Sequence, residues 1–238
     1  MTLKAPTIAN SARPGQFITI GCGKGAFLKR PMGLSHADTQ SGEIGFIYQS
    51  VGLGTNLLKE KRTGEEMEVI GPLGNYFWLE KNARSLALVG GGTGVGPLIL
   101  AAKWIAQSFK KIDAYTFIGT RNSQQSCGEE ELREYSKELF LATDDGTKGQ
   151  FGLVTDVFKS FLKERSVNQI ITCGPSAMMK RISELAAEYT IPAQASLEEY
   201  MACGFGACLG CPCETKEEGY KMICVDGPIF DTQKIVWK

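Results

Sequence analysis

The chain has 238 residues, 43% hydrophobic and 22% charged, enough for two ordinary domains and a small module of normal globular composition. Lys plus Arg and Asp plus Glu number 26 each, so the formal charge is zero and nothing marks a nucleic-acid surface; no apolar run reaches the length of a membrane span. With a single histidine, His36, triads and metal sites that need histidine are nearly excluded. The opening MTLKAPTIAN lacks an apolar signal-peptide region, so a reducing, cytoplasmic compartment is expected.

Residues 1–82 read as short strands separated by turns. QFITI (16–20), IGFIYQSV (44–51) and EMEVI (66–70) are β-rich or alternating, and Pro14-Gly15, Gly21 to Gly25, Ser41-Gly42 and Gly71-Pro72 punctuate them. This spacing predicts a small antiparallel β-barrel, with one short helix over 54–62. GAFLK (25–29) also looks strand-like, which would put Arg30 at a strand end facing a cleft. There it could hold a pyrophosphate bidentately, although alone it reads as an exposed arginine.

From residue 83 to 194 the pattern becomes alternating βαβα. The strands expected are SLALVG (85–90), IDAYTFIG (112–119), ELFLATDD (138–145) and NQIITCG (168–174). Helices are expected over 90–109, 129–137, 153–162 and 175–189, the last with Pro175 in its first turn. That alternation means a doubly wound parallel sheet, with ligands at the carboxyl ends of its strands. Gly90 to Pro97 follows a strand and opens a helix, as a phosphate cradle does, although it is neither a strict G-x-G-x-x-G nor a Walker loop. Arg121 could pair with a phosphate or be a solvated loop arginine. Asp144-Asp145 could form a turn or hydrogen-bond a ribose; two acids there would disfavour an extra 2′-phosphate and so point to NAD over NADP.

The stretch 195–238 carries the most informative feature. Cys203, Cys208, Cys211 and Cys224 stand as C-x4-C-x2-C followed by C-x12-C, the first part being the local spacing of a plant-type 2Fe–2S cluster. Glycines 204, 206 and 210 permit a tight loop with backbone N–H groups turned toward sulfur. Zinc is the rival, though its sites usually pair two C-x2-C units. Cys213 reads as a spare thiol or else a substitute ligand, and Cys22, Cys127 and Cys173 as buried small hydrophobes.

Taken together the chain resembles the ferredoxin–NADP reductase superfamily, and within it the electron-transfer subunits of NAD-linked (type 1B) dihydroorotate dehydrogenases. The resemblance rests on RPGQF (13–17), RPMG (30–33), VGLGTNLL (51–58), GPLGNYF (71–77), LVGGGTGVGPL (88–98), TDDGTKGQFGLVTD (143–156), TCGPSAMM (172–179), SLEEYMACGFGACLGC (196–211) and CVDGPIF (224–230). It implies an FAD-binding β-barrel (1–82), an NAD-binding α/β domain (83–194) and a 2Fe–2S module (195–238). Arg30, Pro31, Met32 and Gly33 would lie along the flavin and its diphosphate. Ile47, Tyr48 and Gln49 would touch the flavin–ribityl region, and Gly54 and Thr55 the second phosphate side. Gly92, Thr93 and Gly94 would face NAD, Cys173, Gly174 and Pro175 would border the nicotinamide, and the four cysteines would hold the cluster.

The resemblance further implies a catalytic partner subunit carrying FMN, in a heterotetramer of two plus two, that interconverts dihydroorotate and orotate in pyrimidine synthesis. Reductase subunits of cytosolic hydrogenases or of NADH-dependent ferredoxin:NADP oxidoreductases share the plan. A non-enzymatic, zinc-binding nucleotide sensor is the reading from another class. Two departures stand out. Gly33 replaces the family's usual serine, leaving a backbone N–H or Ser35 to reach the flavin N5. The start lies about twenty residues short of the family's, so a first barrel strand is expected to be missing, leaving an exposed sheet edge.

Overall fold

The computed structural model describes residues 1–217 and 219–237. Its first sheet contains β1 (Thr2–Lys4), β2 (Phe17–Ile20), β3 (Arg30–Asp38), β4 (Glu43–Phe46) and β5 (Val69–Leu73), with helix α1 (Pro6–Ser11) after β1 and α2 (Leu53–Lys59) after β4. All pairings are antiparallel in the order β1-β4-β3-β2-β5, so β1 and β5 are the edges of a half-barrel. Strand period places Ile18 and Ile20 in the half-barrel core beside Leu34, Ile44, Phe46 and Leu58. Phe17 and Thr19 take the opposite face, yet both are buried, because C-terminal residues cover that face.

The expected strand over GAFLK is not formed. Gly23 and Gly25 both adopt positive φ there, which turns the chain, and Phe27 projects into solvent. The strand begins instead at Arg30, so Arg30 opens β3 rather than following a strand. Helix α1, where residues 6–11 carry a proline in the first turn, was not expected either.

The second sheet contains β6 (Ser85–Gly91), β7 (Asp113–Thr120), β8 (Glu138–Thr143), β9 (Gln150–Phe151), β10 (Gln169–Cys173) and β11 (Ala193–Ser196). The helices between them are α3 (Val95–Ser108), α4 (Glu129–Tyr135), α5 (Val154–Glu164) and α6 (Ser176–Glu188). A small hairpin, β12 (Pro212–Thr215) with β13 (Gly219–Met222), precedes β14 (Ile229–Asp231), which returns to the large sheet antiparallel to β11. The order is β14-β11-β10-β6-β7-β8-β9, parallel except for β14.

Successive residues of β6 feed opposite faces. Leu86 and Leu88 pack with α3 and α4, while Ala87 and Val89 pack with α5 and α6, so both faces are dry, as the continuous apolar run requires. Phe117 of β7 stacks on Phe140 at 4.7 Å and meets Phe158 and Phe161 edge-on at 5.0 and 5.1 Å. Strand β11 spans the expected 194/195 boundary, and β14 brings residues 229–231 back to this sheet.

Two buried side chains lash the interdomain segment down. Gln194 accepts from the Trp78 backbone N–H (3.1 Å) and donates to its carbonyl (2.6 Å); Gln169 donates to the same carbonyl and accepts from the Glu80 N–H, each at 3.0 Å. Among the described residues no helix is long and apolar enough to cross a membrane.

Candidate redox-cofactor site

The strand order reverses between β6 and β10, the topological switch point at which open α/β sheets bind ligands. There the loop after β6 meets the loop after β10 backbone to backbone. A Cβ on Gly94 would stand 2.5 Å from the Cys173 carbonyl oxygen, and one on Gly91 2.7 Å from Pro175 Cδ. Side chains at either position would push the loops apart. Gly92, by contrast, looks into open space. The structure thus brings Gly92, Thr93 and Gly94 together with Cys173, Gly174 and Pro175. Cys173 itself is buried and hydrogen-bonds toward Ser196, with its thiol held up by burial and by the nearby Glu198 charge. At the far end of the sheet Asp145 accepts from Thr147 N and Oγ1 (3.0 and 2.6 Å), so it caps a turn; these bonds hold its carboxyl below the ordinary range. Asp144 and Arg121 are exposed.

A cavity of about 880 Å³ lies between the half-barrel and the chain after β11. Arg30, Pro31, Met32, Gly33, Ile47, Tyr48, Gln49, Thr55 and Thr93 line it, nine of the positions the sequence pointed to. Gly54 stands just behind: a Cβ there would be 2.7 Å from Arg30 Nε, so glycine lets the guanidinium lie against α2. The Thr55 hydroxyl is engaged locally, accepting from Val51 and Gly52 N–H (3.0 and 3.2 Å) at the start of α2. A Cβ on Gly33 would be 2.8 Å from Pro97 Cγ, which explains glycine at this position. Ser35 packs near Gly45 and Gly96, away from the residues that line the cavity. A long cavity with apolar walls, one guanidinium and backbone-lined ends fits a flavin dinucleotide.

Residues 198–202 also wall this cavity, a role their sequence does not announce. Glu198 lines it; the residue keeps solvent exposure, and crowding by the surrounding walls raises its carboxyl above the ordinary value. Raised acids at a site of this kind are visible only after folding, since SLEEYMA has no telltale spacing.

Immediately after this wall comes Cys203. The four thiols form two contacting pairs, Cys203 with Cys208 and Cys211 with Cys224, and the pairs sense each other electrostatically. Burial opposes the Cys203 thiolate, but N–H groups of Phe205, Cys208 and Ala207 and the Cys208 thiol outweigh it, bringing Cys203 to about 6. Cys224 is pushed up to about 12 by burial, then by Cys211 and its charge. Gly204 and Gly206, at φ +82° and +87°, give the loop the left-handed turns that point these N–H groups at sulfur. Among the described residues no three His, Cys, Asp or Glu side chains converge on one ion position. Four thiols on one loop system, with backbone N–H groups turned to sulfur, fit an iron–sulfur cluster. Cys213 stands on β12 with Sγ toward the Glu214 carbonyl, 3.7 Å away.

The other side of the cysteine loop is stapled by Asn75. Its amide donates to the carbonyls of Asp226 and Ile229 and its oxygen accepts from the Ile229 N–H, all at 2.8 Å. The Asp226 carboxylate in turn accepts from Met222 N–H at 2.7 Å, closing the turn that carries Cys224.

A half-barrel with a cofactor-sized cavity, a doubly wound sheet with a switch-point loop pair, and a four-thiol module define an oxidoreductase of the ferredoxin–NADP reductase type with an iron–sulfur extension. Residues 198–236 match the iron-sulfur cluster binding domain of dihydroorotate dehydrogenase B, and residues 88–184 match the oxidoreductase NAD-binding domain. The dihydroorotate dehydrogenase B (NAD(+)) electron transfer subunit of Desulforamulus reducens is 33% identical over 243 residues, covering 100% of this chain and 92% of its own. That of Geobacillus kaustophilus is 37% identical, covering 99% and 91%. Among solved structures, a chain of an NADH-dependent reduced ferredoxin-NADP oxidoreductase superposes with a TM-score of 0.91 at 29% identity, covering 99% of this chain and 84% of that one. The ferredoxin reductase of carbazole 1,9a-dioxygenase shares the fold at a TM-score of 0.67 and 21% identity, over 76% and 58%. The chain belongs to the family of dihydroorotate dehydrogenase B electron transfer subunits.

Proposed function

We propose that the chain carries electrons between NAD(H) and a dihydroorotate dehydrogenase catalytic subunit through one FAD and one 2Fe–2S cluster, in pyrimidine synthesis. One observation carries this reading: the wall of the flavin-sized cavity, residues 198–202, runs directly into the first cluster thiol, and Gly210, between two further thiols, lines the same cavity. When bound, the flavin exchanges electron pairs with nicotinamide and single electrons with the cluster.

The chain's own residues bind and orient. Arg30 holds the diphosphate, with Gly54 and the backbone at Thr55 beside it. Pro31 to Gly33 and Ile47 to Gln49 flank the ring system. Gly92 to Gly94 and Cys173 to Pro175 leave room for the nicotinamide end of NAD, with Asp144 disfavouring a 2′-phosphate. Cys203, Cys208, Cys211 and Cys224 hold iron, and N–H groups of Phe205, Ala207 and Cys208 steady the sulfur charge. The work divides as FAD binding in 1–82, NAD binding in 83–194 and the cluster in 195–238.

The partner is read as an FMN subunit in a two-plus-two assembly. Phe205, Leu209 and Val225 are each more than half exposed, and Val225 sits against Gly206, so the cluster loop presents apolar surface for docking. Cluster ligands must stay thiolates, which supports a reducing, cytoplasmic compartment for the assembly. A role in an NADH-dependent ferredoxin:NADP oxidoreductase is the second reading, favoured by the 0.91 superposition.

Purified chain should hold flavin and roughly two irons per polypeptide, and NADH should bleach it. Cys208→Ser should lose iron and keep NADH:dye activity. Stoichiometric zinc without iron would overturn the cluster. Failure to couple dihydroorotate oxidation to NAD+ on mixing with the catalytic subunit, with both cofactors present, would favour the second reading.

A further inference from the structure

Thr19 is 1% exposed, and among the described residues its hydroxyl has no hydrogen-bond partner. Burying an unpaired hydroxyl is costly, and valine would fill the same β-branched space without that cost. The position is therefore informative. Thr19 lies on β2, between Ile18 and Ile20, which point into the half-barrel core; its own side chain takes the other face with Phe17. Phe17 packs in the apolar shell that contains Cys211 and Cys224. On the same face Thr19 packs on the loop of the other two thiols: a Cβ on Gly204, next to Cys203, would be 2.5 Å from Thr19 Cγ2 and 3.8 Å from its Cβ. The methyl is thus pressed on the cysteine loop, and the orphan hydroxyl shares the same Cβ. Polar donors facing cluster sulfur stabilise the reduced, more negative state.

We propose that the Thr19 hydroxyl, contributed by the flavin domain, donates a hydrogen bond to sulfur of the iron–sulfur cluster and raises its reduction potential. This rests on the cluster reading above. It makes Thr19 a tuning residue outside the cysteine module.

The test is a redox titration of the full chain, loaded with iron, sulfide and flavin, for the parent, Thr19→Val and Thr19→Ser, with pulsed EPR of the reduced cluster after exchange into D2O. Thr19→Val should favour the oxidised cluster about tenfold, which is about 59 mV more negative for a one-electron couple, and lose one exchangeable deuteron signal. Thr19→Ser should stay close to the parent, and the flavin potential should not move in either. An unchanged potential and deuteron signal in iron-loaded Thr19→Val would overturn the proposal; a hydroxyl that merely holds a water, or none, gives that result. If Thr19→Val does not retain iron, Thr19→Ala against Thr19→Ser decides by the same two readouts. A parent chain that takes up no iron counts against the cluster reading itself, a result distinguishable from the others by metal analysis alone.

Discussion

Strand β6 buries Leu86, Ala87, Leu88 and Val89 completely, while between residues 201 and 210 Gly204 alone is buried. The loop that follows β6 and the cysteine loop both border the cofactor cavity, through Thr93 and Gly210. The sheet is held by dispersion and by apolar area removed from water on two faces. The loop has little such area. It is held by hydrogen bonds into its turns, by contacts borrowed from the half-barrel and, in the proposed function, by iron. One region can fold on its own side chains, and the other needs neighbours and a ligand.

The comparison can be broken first at Phe117. Phe117→Ala should cost about 3–5 kcal/mol by emptying the centre of a four-ring cluster. Denaturant midpoints should fall alike with and without iron, because this core owes nothing to the loop. Asn75→Ala should cost about 2–4 kcal/mol, because it removes three hydrogen bonds and strands the partners on residues 226 and 229. Its signature should be local: iron lost to a chelator several-fold faster, with the sheet's amide exchange protection retained. Equal loss of protection in β6 would contradict the division.

Gly33→Ser should cost about 1–3 kcal/mol, because its Cβ would press on Pro97. Retention of flavin on dilution should weaken. The smallest effect is expected at Glu198. Its carboxyl is raised by the crowding cavity walls although the residue stays solvent-exposed, so the folded state binds its proton somewhat more tightly than the unfolded chain does. Stability therefore falls as pH rises from the ordinary value near 4.5 through the raised one. Glu198→Gln should flatten that slope, gaining on the parent as pH increases, as urea midpoints across a pH series would show.

The parts read most directly from sequence are those whose physics is local. SLALVGG announces a strand buried on both faces because every residue is small or apolar, and the α5 pattern shows its inward stripe. The cysteine spacing names its chemistry because iron ligation restricts sequence separation more than packing does. Strand β3 was hidden because RPMGLSHAD carries a proline, a glycine and polar residues; its strand state comes from pairing with β2 and β4. GAFLK misled because its β-formers sit beside two glycines whose positive φ breaks extension. The wall at 198–202 and the role of Thr19 depend on what arrives from far along the chain. Thr19 in FITI reads as ordinary strand propensity until the orphan hydroxyl is seen.

The chain leaves the large sheet at Ser196 and re-enters it at Ile229, and these two residues are paired across adjacent strands, with Leu197 N–H bonded to the Pro228 carbonyl at 2.9 Å. An excursion tethered at both feet to one edge, and tied at its closing end by Asn75 from the segment after β5, has no free hinge at its feet. It cannot behave as a swinging arm that carries charge from donor to acceptor. The port is stationary, so any acceptor must be brought to it, and turnover should depend on how long a partner stays docked rather than on motion within this chain.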